Sequence, residues 1–170
     1  MRLLKILLLV LVVIIVLCGA AFIVAGLVIP EERSFTNEIE INAAAETVWQ
    51  VVNDRGKYTA WQTNLTRVEV IDDNSWIEYP KDSPQPLRFS LAKDERPARM
   101  EFNYTMGESL GGKWLGEISR TANGVRLKTE DSYAAKGWLT KILLAAFFDM
   151  DGFAKDWNQR LKQRVESLDR

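Results

Sequence analysis

The sequence predicts an α+β fold, in which a curved antiparallel sheet of about seven strands packs against two short helices and a long C-terminal helix. One transmembrane helix is expected before this domain. Three observations lead to the prediction: an uncharged apolar run over residues 6–29, alternating strand patterns between residues 34 and 133, and apolar residues spaced by three and four from residue 139 to residue 168. The expected organisation is a cytoplasmic N-terminus (1–5), a transmembrane helix (6–29), a short tether (30–33) and one domain (34–170).

The residue composition excludes several classes of protein. The 170 residues include one cysteine and no histidine, and the net charge is −1. One cysteine cannot form an internal disulfide, and a chain without histidine has no His-based catalytic triad and none of the common zinc sites. A chain of this charge without a basic block is not typical of nucleic-acid-binding proteins. We therefore expect no metal, no cofactor and no nucleic-acid partner.

The apolar run over residues 6–29 is long enough to cross a bilayer. Twenty-four helical residues rise by ~36 Å, whereas the hydrocarbon core is ~30 Å thick. The apolar region of a cleaved signal peptide has only about 7–15 residues, so an uncleaved anchor is favoured. Cys18 follows Val16 and Leu17, where a lipoprotein attachment site would need a small residue. It is interpreted as a thiol within the membrane.

The charges beside the apolar run predict its orientation. Arg2 and Lys5 precede the run, and Glu31 and Glu32 follow it. The positive-inside rule therefore places the N-terminus in the cytoplasm and the domain on the extracytoplasmic side, which is the periplasm in a bacterium. The tether of about four residues spans at most ~14 Å, so we expect the domain to lie against the membrane surface.

The elements of the domain follow from local patterns in chain order. Alternation predicts a first strand over residues 34–41, and Asn42 is a candidate N-cap for a short helix over residues 43–52, followed by another short turn of helix. Further strands are predicted over residues 65–71, 76–79, 87–93, 99–106, 113–121 and 125–133, and the short links between them indicate antiparallel pairing. One amphipathic helix follows Gly137, with Gly152 as a candidate kink.

Residues 39–49 (IEINAAAETVW), followed by Asp54, Tyr58 and Trp61, resemble the opening pattern of the SRPBCC superfamily. This superfamily has the START-like helix-grip fold and includes lipid-transfer domains and polyketide cyclase/dehydrase-like proteins. The order of elements extends the resemblance over residues 34–168. Ala44 departs from the pattern, since the family often has proline there. The pattern concerns structure, and one fold hosts many functions.

The resemblance implies a cavity between the sheet and the C-terminal helix that holds an apolar ligand. Strand alternation and helix periodicity supply a mainly apolar set of side chains for its lining. The expected ligand-binding residues are Phe89, Met100, Phe102, Tyr104, Trp114, Ile118, Leu127, Asp131, Tyr133, Phe147, Met150 and Phe153. The alternative is a core that these side chains fill completely.

Asp131 is the most informative of these positions. Alternation aligns it with Leu127 and Tyr133, so it is expected to face the interior. A buried carboxylate needs a partner or a raised pKa, which makes Asp131 a candidate polar contact or general base. The alternative is a bulge near the end of the strand that turns this side chain to water.

The C-terminal helix is more apolar near its start than one buried face requires. Leu144, Ala145 and Phe148 fall outside the main apolar stripe. Such residues contact lipid, line the mouth of a cavity, or pack under a neighbouring loop.

These patterns favour a membrane-anchored domain that binds a lipid or another hydrophobic small molecule. A cyclase, dehydratase or isomerase acting on a hydrophobic carbonyl compound is the second hypothesis, with acid–base chemistry assigned to Asp131, Glu117, Tyr104 or Tyr133. A ligand-free scaffold of the cell envelope is the third. Because the chain has no histidine and no convergent pair of catalytic groups, binding is favoured and no catalytic residue is assigned.

Overall fold

A computed structural model describes residues 2–168, which form an apolar N-terminal helix followed by an α+β domain. The helices are α1 (Arg2–Val28), α2 (Ala45–Asn53), a 3₁₀ helix (Arg55–Ala60), α3 (Trp138–Phe147) and α4 (Met150–Leu168). The strands are β1 (Glu32–Ile41), β2 (Leu65–Asp72), β3 (Ser75–Pro80), β4 (Leu87–Glu95), β5 (Arg99–Met106), β6 (Leu110–Thr121) and β7 (Gly124–Ala135). The predicted fold class is confirmed.

The described strands form one antiparallel sheet in the order β1-β7-β6-β5-β4-β3-β2. The strands from β2 to β7 pair with their neighbours in sequence, as short links require. The first strand, β1, pairs with the last, β7, over the whole of its length. This pairing brings the end of α1 next to the end of β7, where α3 begins.

The core lies between the inner face of the sheet and the helices α2 and α4. Leu161 and Val165 of α4 are fully buried against the sheet, together with Val48 of α2 and Leu127 of β7. Burial of an aliphatic side chain of this size contributes about 1.5–3 kcal/mol, so this contact holds α4 on the sheet.

One polar contact fixes where α4 lies along the sheet. The side-chain amide of Asn158 donates a hydrogen bond to the Thr129 hydroxyl of β7 at 2.9 Å, and both residues are buried. A buried donor that lost this partner would be left unsatisfied, which opposes any sliding of the helix.

The start of α2 differs from the prediction. The helix begins at Ala45, and Ala44 occupies the N-cap position without a side-chain hydrogen bond, so the assignment of Asn42 as the cap is wrong. The backbone N–H of Asn42 instead donates to the Glu166 carboxylate of α4 at 3.0 Å. A tertiary contact has taken the place of the local cap.

The C-terminal helix also differs from the prediction, because it is divided into α3 and α4. Phe148 has an extended backbone, and α4 begins two residues later. The carboxylate of Asp149 accepts a hydrogen bond from the backbone N–H of Gly152 at 2.9 Å, which is the geometry of an N-cap. The local cap therefore starts a new helix before Gly152, where a kink was expected.

Replacing Asp149 with alanine tests this account of the break. We expect Asp149→Ala to lower the free energy of unfolding by about 1 kcal/mol, because the first turn of α4 loses its cap. Thermal and denaturant unfolding of the full chain in detergent micelles measures the change. Gln159→Ala, at an exposed position of the same helix, is the control. Equal stability of the two variants would contradict the capping role.

Candidate cavity for a hydrophobic ligand

A cavity of about 390 Å³ lies between the inner face of the sheet and the helices α3 and α4. The rings of Trp76 and Phe89 stack in its wall with centroids 5.0 Å apart, and those of Phe102 and Trp114 stack at 5.1 Å. The lining residues are Phe35, Tyr58, Asn64, Trp76, Glu78, Pro80, Asp82, Ser83, Pro84, Leu87, Phe89, Phe102, Tyr104, Met106, Leu110, Trp114, Asp131, Leu144, Phe148, Met150, Phe153, Ala154 and Trp157.

Trp114 and Trp157 form the floor that separates the cavity from the core. Their rings meet edge to face at 5.5 Å. Residues i and i+2 of a strand share one face, so the indole of Trp114 extends over position 116. A Cβ atom at Gly116 would lie only 2.3 Å from the Trp114 ring, and a glycine there is what allows the indole to cover the floor.

Seven of the twelve residues expected to bind a ligand line this cavity. They come from four strands and from α4, and they include both aromatic and polar side chains. These seven residues are Phe89, Phe102, Tyr104, Trp114, Asp131, Met150 and Phe153. Strand alternation and helix periodicity therefore selected seven residues that the fold places around one cavity.

The other five expected residues do not line the cavity. Met100, Ile118 and Leu127 face the interior but lie in the filled core, because the Trp114 indole covers the sheet between them and the cavity. Tyr133 is buried in a smaller apolar cluster with Tyr104. The position of the Trp114 indole therefore accounts for Met100, Ile118 and Leu127, whereas Tyr133 packs in a cluster of its own.

Phe147 requires a different correction. Its side chain is 81% exposed, on the surface rather than in the cavity. The expected position followed from the periodicity of one continuous helix. Because α3 ends at Phe147 and α4 starts in a new direction, the phase of that periodicity does not carry across the break.

Asp131 points into the cavity from the middle of β7. It pairs with Phe35 on one side and with Trp114 on the other, and both registers continue without a bulge, so the bulge alternative is wrong. Within residues 2–168 no side chain donates a hydrogen bond to it or forms an ion pair with it. Burial alone raises the pKa of this carboxyl to about 7.

Glu78 is a second carboxylate in the cavity, and the sequence analysis missed it. The residue is 9% exposed, and the indole N–H of Trp76 donates to its Oε1 at 2.9 Å. Burial raises the pKa of Glu78 to about 7, although the hydrogen bond from Trp76 opposes this shift. The spacing of two residues from Trp76 was the available signal, since both side chains must share one face of β3.

The tyrosine hydroxyls of the cavity are held as donors. The Tyr58 hydroxyl donates to the backbone carbonyl of Val52, and the Tyr104 hydroxyl donates to the carbonyl of Ser132 at 3.4 Å. Burial raises the pKa of both phenols well above the ordinary value, and the charge of Asp131 adds to the rise at Tyr104. Both groups therefore stay protonated at neutral pH.

The polar groups of the site do not form a metal centre in the part of the chain that is described. Among residues 2–168, no group of three or more aspartate, glutamate or cysteine side chains is close enough to hold an ion. The groups available for chemistry are the buried carboxyl of Glu78, the half-buried carboxyl of Asp131, two phenols and aromatic rings.

The sequence model of a family described as polyketide cyclase/dehydrase and lipid transport matches residues 32–170. The chain belongs to this family. A search of curated protein sequences gives no match. The family and the fold together support a function in binding hydrophobic ligands or in cyclase-type chemistry.

Solved structures with a similar fold include proteins of different activities. The Zhui aromatase/cyclase from Streptomyces sp. R1128 superposes with a TM-score of 0.68 at 12% identity, covering 82% of this chain and 96% of that one. A START superfamily protein from Mycobacterium smegmatis gives 0.60 at 16% identity, covering 82% and 99%. A norcoclaurine synthase from Thalictrum flavum gives 0.62 at 13% identity, covering 82% and 97%. At these identities the likeness establishes the START-like fold alone.

The carboxyls of Asp131, which is half-buried, and of Glu78, which is buried, predict a pH dependence of stability. Folding raises their pKa values from 3.8 and 4.5 to about 7, so the native state binds more protons than the unfolded state between these limits. The free energy of unfolding should therefore fall as the pH rises through this window, by up to about 1.4 kcal/mol per pH unit for each group. Asp131→Asn should flatten this dependence when unfolding of the full chain is followed in micelles from pH 4.5 to 8.

Glu130→Gln is the matched control for this experiment. Glu130 precedes Asp131 on β7 but is exposed on the other face of the strand. The control variant should keep the pH dependence of the unsubstituted chain. The account fails if Asp131→Asn and Glu130→Gln give the same slope.

Proposed function

We propose that the chain is a membrane-anchored domain that binds a lipid or another hydrophobic small molecule in the cavity above the Trp114 and Trp157 floor. The observation that carries the proposal is the cavity itself, with its mainly aromatic and aliphatic walls. Ligand sites in proteins commonly measure about 300–1,000 Å³ and are lined in this way. The cavity lies toward the lower end of this range, which favours a compact ligand or one part of a lipid.

The anchor proposed for this domain is α1. The helix has 27 residues and contains the apolar run except for its last residue, Ile29, and its side chains are almost all exposed. A helix of this length reaches about 40 Å, which is enough to span a bilayer. A signal sequence would share these properties, and the length of the apolar run supports the anchor. The basic residues before the run support an extracytoplasmic position for the domain.

The end of α1 packs against α3. Gly26 is buried there, and a Cβ atom at this position would lie 2.7 Å from the Cβ of Trp138 and 3.2 Å from Cδ1 of Ile142. The carbonyl of Glu31 accepts a hydrogen bond from the backbone N–H of Ala135 at 2.8 Å. These contacts keep α3 close to the point where the anchor would leave the membrane.

The surface around α3 is apolar and continues into the cavity. Its exposed side chains are Trp138, Leu139, Leu143, Phe147, Phe148 and Phe153. Phe148 and Phe153 also line the cavity, so the mouth and the exposed surface share residues. An apolar patch of this kind is typical of a membrane-contacting surface. This continuity supports a cavity that opens at the bilayer, and it favours the first two roles considered for the apolar residues of this helix.

The cyclase-type alternative is supported by one observation, the unpaired carboxyl of Asp131 with its raised pKa. Such a group is suited to general acid–base chemistry near neutral pH. Glu117, which the sequence analysis also considered for this role, is paired with Arg99 at 3.4 Å and is not among the residues that line the cavity. The scaffold hypothesis required a filled core, and the cavity disfavours it.

Filling the cavity tests the proposed binding function. Ala154 is buried and lines the cavity from α4, so Ala154→Trp should occupy the space that a ligand needs. We expect native mass spectrometry of the full chain, released from lipid nanodiscs, to detect a bound small molecule on the unsubstituted protein and none on this variant. Gln159→Trp adds the same side chain at an exposed position of the same helix and should retain the ligand. An empty unsubstituted chain, or a ligand retained by Ala154→Trp, would overturn the proposal.

Fluorophore labelling tests the proposed contact with the bilayer. In a Cys18→Ser background, Phe147→Cys and Val70→Cys place a single thiol at two exposed apolar positions, 81% and 50% accessible. We expect an environment-sensitive label at position 147 to report an apolar surrounding in nanodiscs and to be quenched by spin-labelled lipids. The label at position 70, on β2 at the edge of the sheet, should report water. Equal exposure of both labels to water would contradict the contact.

A further inference from the structure

The charged groups that line the cavity are all of one sign. Glu78, Asp82 and Asp131 contribute carboxylates, whereas no lysine or arginine within residues 2–168 is part of the lining. Acidic groups in an apolar cavity are costly unless a partner compensates for their lost hydration. The protein itself provides little compensation, since Asp131 has no hydrogen-bond partner among the described side chains.

The two buried cations of the described domain are already engaged with other groups of the protein. The Arg55 guanidinium lies 4.1 Å from the centre of the Trp76 ring and donates to the carbonyl of Asp73 at 2.7 Å and to the side chain of Asn53 at 3.0 Å. Lys141 is buried beside α1, where its Nζ lies 3.9 Å from a carboxylate oxygen of Glu31. Neither side chain is among those that line the cavity.

The aromatic walls favour the same sign of ligand charge as the carboxylates do. An aromatic face carries the negative part of the ring quadrupole and attracts a cation. Trp76 and Phe102 line the cavity, but their rings already face the Arg55 guanidinium, 4.1 and 5.6 Å from the ring centres. Among the described residues no arginine or lysine lies over the rings of Trp114 and Trp157, which line the cavity as well. A positively charged head in the cavity would gain an ion pair with a carboxylate and contacts with the rings of Trp114 and Trp157.

We propose that the cavity selects molecules that carry a protonated amine on an apolar body and rejects those that carry a carboxylate, fatty acids included. This inference rests on the proposed binding function and adds the charge class of the ligand. An anionic head would be buried near like charges with no cation beside it, so desolvation and repulsion would both oppose binding. A neutral hydroxyl head would avoid the repulsion and can donate a hydrogen bond to Asp131, but it would not compensate the charge of the carboxylate.

Three probes with the same apolar body test this proposal: 4-phenylbutylamine, 4-phenylbutan-1-ol and 4-phenylbutanoate. Each is titrated at pH 8 against the full chain in nanodiscs of uncharged phosphatidylcholine lipid. Tryptophan fluorescence is the readout, because Trp76, Trp114 and Trp157 line the cavity. We expect the amine to bind about tenfold more tightly than the alcohol, and the carboxylate to bind more weakly than the alcohol.

Matched substitutions then assign the preference to the two buried carboxyls. The double variant Glu78→Gln with Asp131→Asn keeps the shape of the cavity and should lose most of the preference for the amine over the alcohol, because only Asp82 and the aromatic rings still favour a cation. Each single variant should reduce the preference in part, which keeps the test informative if the double variant does not fold. The control variant, Glu108→Gln with Glu130→Gln, removes two exposed carboxylates outside the cavity and should retain the full preference.

The possible outcomes separate this inference from the function on which it rests. If the alcohol binds but the carboxylate binds as tightly as the amine, the charge selection is overturned and the binding function stands. A preference that the control variant loses would be due to overall charge, which also overturns the inference. If none of the three probes binds, both the inference and the proposed binding function fail.

Discussion

The structure depends on the packing of α4 against the inner face of the antiparallel sheet. An open sheet of this kind has one apolar face that must be covered, and α4 provides the cover. In the C-terminal half of the helix, Leu161 and Val165 fill the space down to the sheet. In the N-terminal half the small side chain of Ala154 leaves room. The C-terminal half of α4 therefore closes the core and its N-terminal half lines the cavity, and Trp157 lies at the boundary between them.

The cavity combines apolar walls with carboxyl groups that the fold does not compensate. Asp131 and Glu78 both lie where burial opposes ionisation, and the raised pKa of each reflects this cost. A protein under selection for stability alone would have apolar residues at these two positions. This cost would be offset if the two carboxyls contact a ligand, because polar contacts with a bound molecule would replace part of their lost hydration.

The apolar helix α1, which we propose as the anchor, and the cavity are linked through α3. Gly26 of α1 allows the close approach of Trp138, and α3 continues from there to the residues at the mouth. With only a few residues between α1 and β1, the domain has little freedom to move away from the end of α1. Under the proposed anchoring and binding function, this arrangement would allow direct exchange of an apolar ligand between the cavity and the bilayer, without exposing the ligand to water.

Local patterns in the sequence determined the α+β class, the order of the elements and the apolar N-terminal helix. They also selected Phe89, Phe102 and Asp131 for the cavity, because alternation decides which face of a strand each side chain occupies. Alternation does not predict whether an inward-facing residue lines the cavity or fills the core. Tertiary packing decided between these two positions. The indole of Trp114 crosses Gly116 and leaves Met100 and Leu127 in the core.

Other features also depended on contacts between distant segments. The burial of Glu78 comes from the neighbours of β3 in the folded sheet and not from β3 itself, which reads locally as an ordinary short strand. The approach of α1 to α3 joins residues more than one hundred positions apart, through a glycine whose role is visible only beside Trp138. Periodicity describes the environment of one element at a time, so the shape and charge of the cavity emerged only when the elements were packed together.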